Sequence, residues 1–312
     1  WDGKNIYILQ ADQETFLEGV DPTLLTNKYE VLNVKLCCLK PVDQNHAQQY
    51  EKIKNVFIYS KLNLPTAPLY ILDNQSIINE IVNGNIPETL TNDLKNLIKN
   101  PLIIRTDITS NDQEDRQMLP RKEFRDLDSI LYWLLENSKI LYEKLHPRAE
   151  IVFIFHNFIP ATAAAFAYVH PKKRKVLIQS LWGLPEGLYF YSNDMYVVDT
   201  KTQSLQNIDK KDFHIEEKKR YKHSFVSSDE NGIWQRFPVK PPYDWKSSIP
   251  KEEWISHIAL ESRRIAELED RELSIMWFID VPKHVCEKQV FPWHHESFNL
   301  KQETSQKKPR TK

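Results

Sequence analysis

The spacing of apolar residues predicts two long amphipathic helices. Over residues 126–145, apolar side chains recur every three or four positions, which is the period of one helix face. Residues 250–269 show the same period after a proline and acidic residues, which are typical of a helix start. Residues 76–99 are expected to form a helix in two pieces, broken near Pro87.

Shorter apolar runs, rich in β-branched and aromatic residues, predict strands. They cover residues 4–11, 29–39, 69–72, 102–105, 150–156, 163–169, 175–180, 194–199, 213–218 and 273–281. Residues 231–247 contain three prolines and predict a loop or a sheet edge. Because strands and helices do not alternate regularly, we expect an α+β fold with mixed, largely antiparallel sheets.

Glycine is scarce in this chain, and its placement is informative. Two of the six glycines among 312 residues lie within Trp182–Gly187, directly after a predicted strand. Glycine is needed where the backbone takes a positive φ or approaches another group closely. We therefore expect one of these two features at Trp182–Gly187. No Walker loop and no dinucleotide-binding glycine motif is present in the sequence.

Composition indicates an ordinary globular chain. Apolar residues make up 41%, charged residues 27%, and the formal net charge is −1, so we expect neither a nucleic-acid nor a membrane partner. The three cysteines are odd in number and do not form a disulfide framework, which favours the cytoplasm. The start WDGKNIYILQ lacks a signal-peptide pattern and an initiator Met, so we expect a processed chain or a fragment.

Several segments follow one another in the order of a known family. They are Asn63–Tyr70 after Lys52 and Lys54, Leu102–Asp107, His156–Ala167, Trp182–Gly187 with Tyr196–Asp199, and Ile265–Leu268 with Ser274–Trp277. In this order they resemble the "GLPVPPGF", "VAVRSS", "QxMVPAxxSGVAFTxxP", "WGLGEGVV…YVVDK" and "DIEWA" stretches of the ATP-binding domain of the phosphoenolpyruvate synthase and pyruvate phosphate dikinase family. The resemblance covers roughly residues 46–280.

The resemblance implies a two-lobe ATP-grasp-like fold with ATP between the lobes. We expect a β-rich segment at 1–45, lobe 1 at 46–145, lobe 2 at 146–298 and a disordered tail at 299–312. The family's phosphohistidine domain and pyruvate-binding barrel have no counterpart in this sequence.

The resemblance places the ATP phosphates near basic residues of lobe 1. Arg105 corresponds to a phosphate-binding arginine, and a guanidinium suits bidentate phosphate binding; the alternative is a strand-end arginine paired with Asp107. Either Lys52 or Lys54 corresponds to the family lysine, and counting back from the Leu-Pro pair favours Lys52; the alternative for each is a solvated helix surface. We expect Arg105 and Lys52 to be catalytic, and Lys54 and Arg121 to bind the cofactor.

The adenine and ribose are expected beside residues of the second half. His156, Asn157 and Phe158 resemble the hinge whose backbone hydrogen-bonds adenine; the alternative is a strand leaving the core. Glu186 is expected to bind ribose or metal, and the alternative is a carboxylate that caps a turn.

The metal ligands are where the sequence departs from the family. The acidic residues of "DIEW" are replaced by Ser274 and Met276, and a thioether does not hold Mg²⁺. We expect Met276 and Trp277 to be core residues. Glu296 is a candidate replacement carboxylate. The run 294–296, His-His-Glu, is either a metal cluster or an exposed turn, because adjacent residues of a strand point in opposite directions.

The amino terminus offers a second set of candidates. Residues 2–12 resemble the family's final strand, "DGKLYILQARP". Either the chain is circularly permuted, with Gln10 in the place of the family glutamine and Asp12 as a metal ligand, or the similarity is due to chance.

The function implied by the resemblance is ATP-dependent phosphoryl transfer. The first hypothesis is a phosphotransferase domain that uses ATP and Mg²⁺ and acts on an acceptor domain or partner protein outside this chain. The second is a degenerate ATP-grasp module that senses a nucleotide or binds a protein without catalysis, as Met276 favours. The third is a scaffold that binds no nucleotide.

Overall fold

The computed structural model describes residues 19–24, 36–110, 112–202, 205, 212–228, 234–283 and 288–298. The predicted strand 4–11 and residues 29–35 of the next predicted strand lie outside these ranges. Among the described residues, no helix is both long enough and apolar enough to cross a membrane.

The first half of the described chain forms a five-stranded antiparallel sheet with helical residues packed on both faces. In chain order the elements are β1 Lys40–Pro41, α1 Gln44–Gln49, α2 Lys54–Lys61, β2 Tyr70–Leu72, α3 Gln75–Val82, α4 Glu88–Leu97, β3 Leu102–Ile108, α5 Gln113–Gln117, β4 Arg121–Phe124, α6 Leu127–Leu145 and β5 Ile151–Asn157. The strand order is β1-β2-β5-β3-β4. Alternate residues of β3 and β5, such as Ile104 and Phe153, pack with α3, α4 and α6 in one core. The intervening residues, such as Arg105 and His156, lie on the opposite face.

The second half forms a six-stranded antiparallel sheet covered on one face by α7. Its elements are β6 Ala163–Val169, β7 Lys175–Trp182, β8 Asp194–Asp199, β9 His214–Lys218, β10 Ser224–Ser228, β11 Trp234–Pro238, α7 Glu252–Glu269, β12 Leu273–Ile279 and β13 Val290–Ser297. The strand order is β13-β12-β6-β7-β8-β9, and β10 pairs with β11 separately. The core between this sheet and α7 contains Ala165, Ile178, Ile258 and Trp277.

The α+β class with largely antiparallel sheets is confirmed, as are the helices predicted at 126–145, 250–269 and in two pieces over 76–99. Residues 36–39 are not a strand. The stretch 231–247, predicted as a loop or a sheet edge, contributes β11, which belongs to a two-stranded sheet and therefore agrees with the edge alternative. The predicted lobe boundary at 145/146 does not coincide with the division between the sheets. β5 pairs with both β2 and β3 and is therefore the middle strand of the first sheet, so the chain passes to the second sheet only after Asn157.

The glycines of Trp182–Gly187 serve a close backbone approach. Gly183 has a φ of +72° and bridges to Val226 of β10, and a Cβ on Gly183 would lie 2.2 Å from the Val226 carbonyl oxygen. A Cβ on Gly187 would lie 3.1 Å from the side chain of Leu181. Both sequence expectations, a positive φ and a close approach, hold at Gly183. The partner there is the protein's own backbone.

Candidate functional site

A cavity of about 480 Å³ lies between the face of the first sheet that carries Arg105 and His156 and the second half of the chain. Its polar lining consists of Arg105, Arg121, Lys122, Glu123, His156, Glu186 and His294. Its apolar and aromatic lining consists of Ile103, Phe158, Ile159, Leu184, Pro185, Trp234, Met276, Phe278 and Trp293. The lining therefore has a cationic part, formed by Arg105, Arg121 and Lys122, and an apolar part.

The cationic side is built on a pair of arginines that face each other. The register of β3 and β4 places Arg105 directly opposite Arg121 on neighbouring strands. Burial and the positive charge of Arg121 lower the pKa of the Arg105 guanidinium. In the part of the chain that the structure describes, neither arginine forms an ion pair with a carboxylate. Like charges directly opposite one another in a sheet are unfavourable, so an anion bound beside the two guanidiniums would relieve this repulsion.

The alternative pairing of Arg105 with Asp107 is not observed. The fully buried Asp107 carboxylate accepts hydrogen bonds from Arg116 Nη1 at 3.1 Å, from the Lys52 backbone N–H at 2.7 Å and from the Ile108 backbone N–H at 2.9 Å. These three donors occupy Asp107, and the guanidinium of Arg105 is left facing the cavity.

Lys52 lies beside the arginine pair. Its Nζ donates to the Thr106 carbonyl oxygen at 2.6 Å, and it lines a small adjoining cavity together with Arg105 and His294. Burial and the nearby Arg105 charge lower the pKa of Lys52 to about 8. Lys54 lines neither cavity and forms an ion pair with Glu51, so of the two candidate lysines only Lys52 is close to Arg105.

The apolar side is formed by aromatic rings around His156. The His156 ring lies 4.9 Å from the Trp293 ring, which in turn lies 6.0 Å from Phe278. Burial and the charge of Arg105 lower the pKa of His156 to about 3, so this imidazole is neutral at physiological pH. These rings are tilted to one another by 56° and 57°, and together they form an uncharged aromatic surface near Arg105.

The predicted hinge has most of its polar groups already paired. The backbone N–H of Phe158 donates to the Pro101 carbonyl oxygen at 2.8 Å, and His156 and Asn157 lie in register with β3. The Asn157 side chain donates to the carbonyl oxygens of Leu97 at 2.8 Å and Asn100 at 3.2 Å. Of the three predicted hinge residues, His156 and Phe158 line the cavity, whereas the Asn157 side chain ties β5 to the loop before β3.

Two carboxylates reach the cavity. Glu186, in the 3-10 turn Pro185–Tyr189, has one side-chain oxygen that is buried without a hydrogen-bond partner, and burial raises the pKa of Glu186. Glu123 pairs with Arg125 at 3.4 Å and hydrogen-bonds Trp234, while burial raises the pKa of Glu123. Glu186 is thus the carboxylate whose hydrogen-bonding capacity is unused.

The run His294-His295-Glu296 lies on β13 and is not a turn. The imidazole of His295 points into the core and hydrogen-bonds Tyr59 Oη at 3.0 Å, whereas His294 lines the cavity and contacts Asn55 at 3.0 Å. Their opposite directions agree with the strand alternation expected from the sequence. Glu296 is exposed and does not line the cavity.

The pairing of β12 with β13 fixes the neighbours of Ser274 and Met276. Their register sets Ser274 opposite Glu296 and Met276 opposite His294. Met276 lines the cavity and is also partly buried against the core of the second half, while Trp277 is fully buried as expected. Within the described ranges, no group of three or more His, Cys, Asp or Glu side chains could hold a metal ion.

The candidates from the amino terminus, Gln10 and Asp12, lie outside the described residues. β12 is paired with β6 along one edge and with β13 along the other.

Sequence reasoning did not select the apolar lining of Leu184, Phe278 and Trp293. The available signal was strand alternation: Phe278 lies two positions from Met276, on the same face of β12. The cavity-facing role of Trp293 depends on a register shift between β12 and β13 near Met276 and Trp277, which the sequence does not display.

Comparison with known proteins finds distant structural likeness only. No family model matches the chain, and no curated protein matches its sequence. Similar solved structures include D-alanine–D-alanine ligase from Bacillus anthracis, at 9% identity over 81% of this chain and 58% of that chain, with a TM-score of 0.36. D-alanyl-alanine synthetase A from Vibrio cholerae O1 biovar eltor matches at 11% identity over 82% and 57%, with a TM-score of 0.35.

A dinucleotide-forming acetyl-coenzyme A synthetase 1 from Ca. Korarchaeum cryptofilum matches at 11% identity over 79% of this chain and 90% of that chain, with a TM-score of 0.36. The chain spans less than two thirds of the length of the first two proteins. Identities and TM-scores this low assign the chain neither a family nor an activity.

Proposed function

We propose that the cavity between the two halves binds a nucleotide polyphosphate such as ATP. The observation that carries this proposal is the facing pair Arg105 and Arg121, with which no carboxylate of the described chain forms an ion pair. Guanidinium groups bind phosphate oxygens through two parallel hydrogen bonds. With Lys52 beside Arg105, the cationic side can receive several phosphate charges.

The apolar side supports a base as the other end of the ligand. Phe158, Phe278 and Trp293 offer flat surfaces, and the neutral His156 adds no charge there. A cavity of about 480 Å³ is in the usual range for small-molecule sites. The order of sequence motifs that resembles an ATP-binding domain supports the same ligand.

The side chains that β12 offers for holding a metal ion favour nucleotide binding over phosphoryl transfer. Phosphoryl transfer is catalysed mainly by positioning and by neutralisation of charge, and hard oxygen ligands hold the metal that usually contributes to it. On the cleft face of β12 the chain carries Ser274 and Met276. We therefore favour a nucleotide-binding module over a phosphotransferase whose acceptor lies outside this chain.

Calorimetric titration of ATP into the full chain tests the proposal. We expect saturable binding that Arg105→Ala weakens by about tenfold or more, because a hydrogen-bonded charge is lost. Arg174→Ala is the matched control, since Arg174 pairs with Asp199 on the second sheet and does not line the cavity. Absence of binding, or equal loss in both variants, would refute a specific site. Formation of ADP or AMP would decide for phosphoryl transfer.

A further inference from the structure

The carboxylates of the cavity are poorly suited to a divalent cation. Mg²⁺ requires hard oxygen ligands in near-octahedral geometry. Of the two carboxylates that line the cavity, Glu123 is already paired with Arg125, and Glu186 has a pKa that burial raises. Met276 offers sulfur, and Glu296 lies outside the lining. The described residues thus do not provide a fitting Mg²⁺ site at the cavity.

Cations outnumber carboxylates at the same place. Arg105, Arg121 and Lys122 line the main cavity and Lys52 lines the adjoining one, against Glu123 and Glu186. A divalent cation between these groups would be repelled, whereas a polyphosphate without its metal carries more negative charge and is attracted more strongly.

We propose that the cavity binds nucleotide polyphosphates in their metal-free form, with the facing pair Arg105 and Arg121 in the position that a divalent cation would hold between phosphates. This proposal rests on the proposed function and specifies that the site selects the metal-free form of the nucleotide. Mg²⁺ in solution then competes with the protein for the same phosphate oxygens. The occupancy of the site therefore falls as Mg²⁺ rises at constant nucleotide.

The test is calorimetric titration of ATP into the full chain, once with EDTA and once with saturating Mg²⁺. We expect ATP to bind more weakly in saturating Mg²⁺ than in EDTA, by about threefold or more, and Arg121→Ala to weaken the binding in EDTA by about tenfold, with Arg174→Ala unchanged. A smaller difference between the two conditions, or tighter binding with Mg²⁺, overturns the inference and leaves the proposed function standing. No binding in either condition refutes both.

A gain of metal dependence provides an independent check. Met276→Asp places a carboxylate on the cavity wall beside His294. We expect this variant to bind ATP more weakly than the natural chain in EDTA, because like charges repel, and to recover affinity when Mg²⁺ is added. If Mg²⁺ strengthens binding equally in both proteins, the natural chain already holds a metal and the inference is wrong. Circular dichroism of the variant separates this result from loss of folding.

Discussion

Arg105 and Arg121 carry like charges on neighbouring strands, so this pair should lower the free energy of unfolding of the chain without ligand. Arg105 is half-buried on β3, between Ile154 of β5 and Arg121 of β4, and its guanidinium has no carboxylate partner in the described ranges. Arg105→Met keeps an unbranched side chain at this position and removes the charge. We therefore expect the variant to be more stable than the natural chain in the absence of ligand.

The magnitude follows from the geometry of the pair. Like charges directly opposite in a sheet cost roughly 0.2–1 kcal/mol, and a partly desolvated guanidinium without a partner adds to that cost. Stabilisation on removal of a functional group is common, since binding sites are built from unfavourable contacts. We expect a gain of about 1 kcal/mol in the free energy of unfolding, together with the loss of ATP binding.

Urea unfolding at low salt measures this gain, provided that the slope with urea is the same for both proteins. Arg174→Met is the matched control, because its charge is paired with the mostly buried Asp199 at 3.2 Å, so its removal should lower stability. If Arg105→Met destabilises the chain by about 1 kcal/mol or more, Arg105 is a structural residue and the electrostatic reasoning for the site is refuted.

Three further predictions follow from individual residues. Gly183→Ala should destabilise the chain by about 1–3 kcal/mol in urea unfolding, because φ is positive and the new Cβ would meet the Val226 carbonyl. Gly84 also has a positive φ, but a Cβ there would meet no other atom, so Gly84→Ala should cost only about 1 kcal/mol. ATP affinity should fall as the pH rises through about 8, since Lys52 loses its charge there, and Lys52→Met should flatten that calorimetric profile. His156 has a pKa of about 3 in the folded chain against 6.5 when unfolded, so below pH 6.5 the unfolded chain binds more protons and stability falls as the pH falls. His156→Phe should remove up to about 1.4 kcal/mol per pH unit of this slope between about pH 6 and pH 4. An unchanged slope would contradict the burial of His156.

The candidate site was partly accessible from the sequence. The resemblance selected Arg105, Arg121, His156, Phe158 and Glu186, and the structure brings all five to one cavity. Selection among alternatives required three-dimensional contacts. Arg116, and not Arg105, occupies Asp107, and this partner choice depends on how α5 packs against the end of β3.

The glycines show the same division between local and tertiary information. Their scarcity in the sequence pointed correctly to a constrained backbone at Trp182–Gly187. The constraint itself comes from Val226, a residue of a later strand that no local pattern connects to Gly183. Composition identified the position, and packing identified the reason.

The sequence by itself determined helices α3, α4, α6 and α7 and most of the described strands, because these depend on backbone periodicity within one segment. Only the tertiary structure decided that Arg121 faces Arg105, that β5 belongs to the first sheet, and that Met276 and His294 share the cavity wall. Strand register depends on packing and pairing between segments distant in the chain, and a shift of one residue moves every side chain to the other face. The charge balance of the cavity is therefore a property of the assembled sheets.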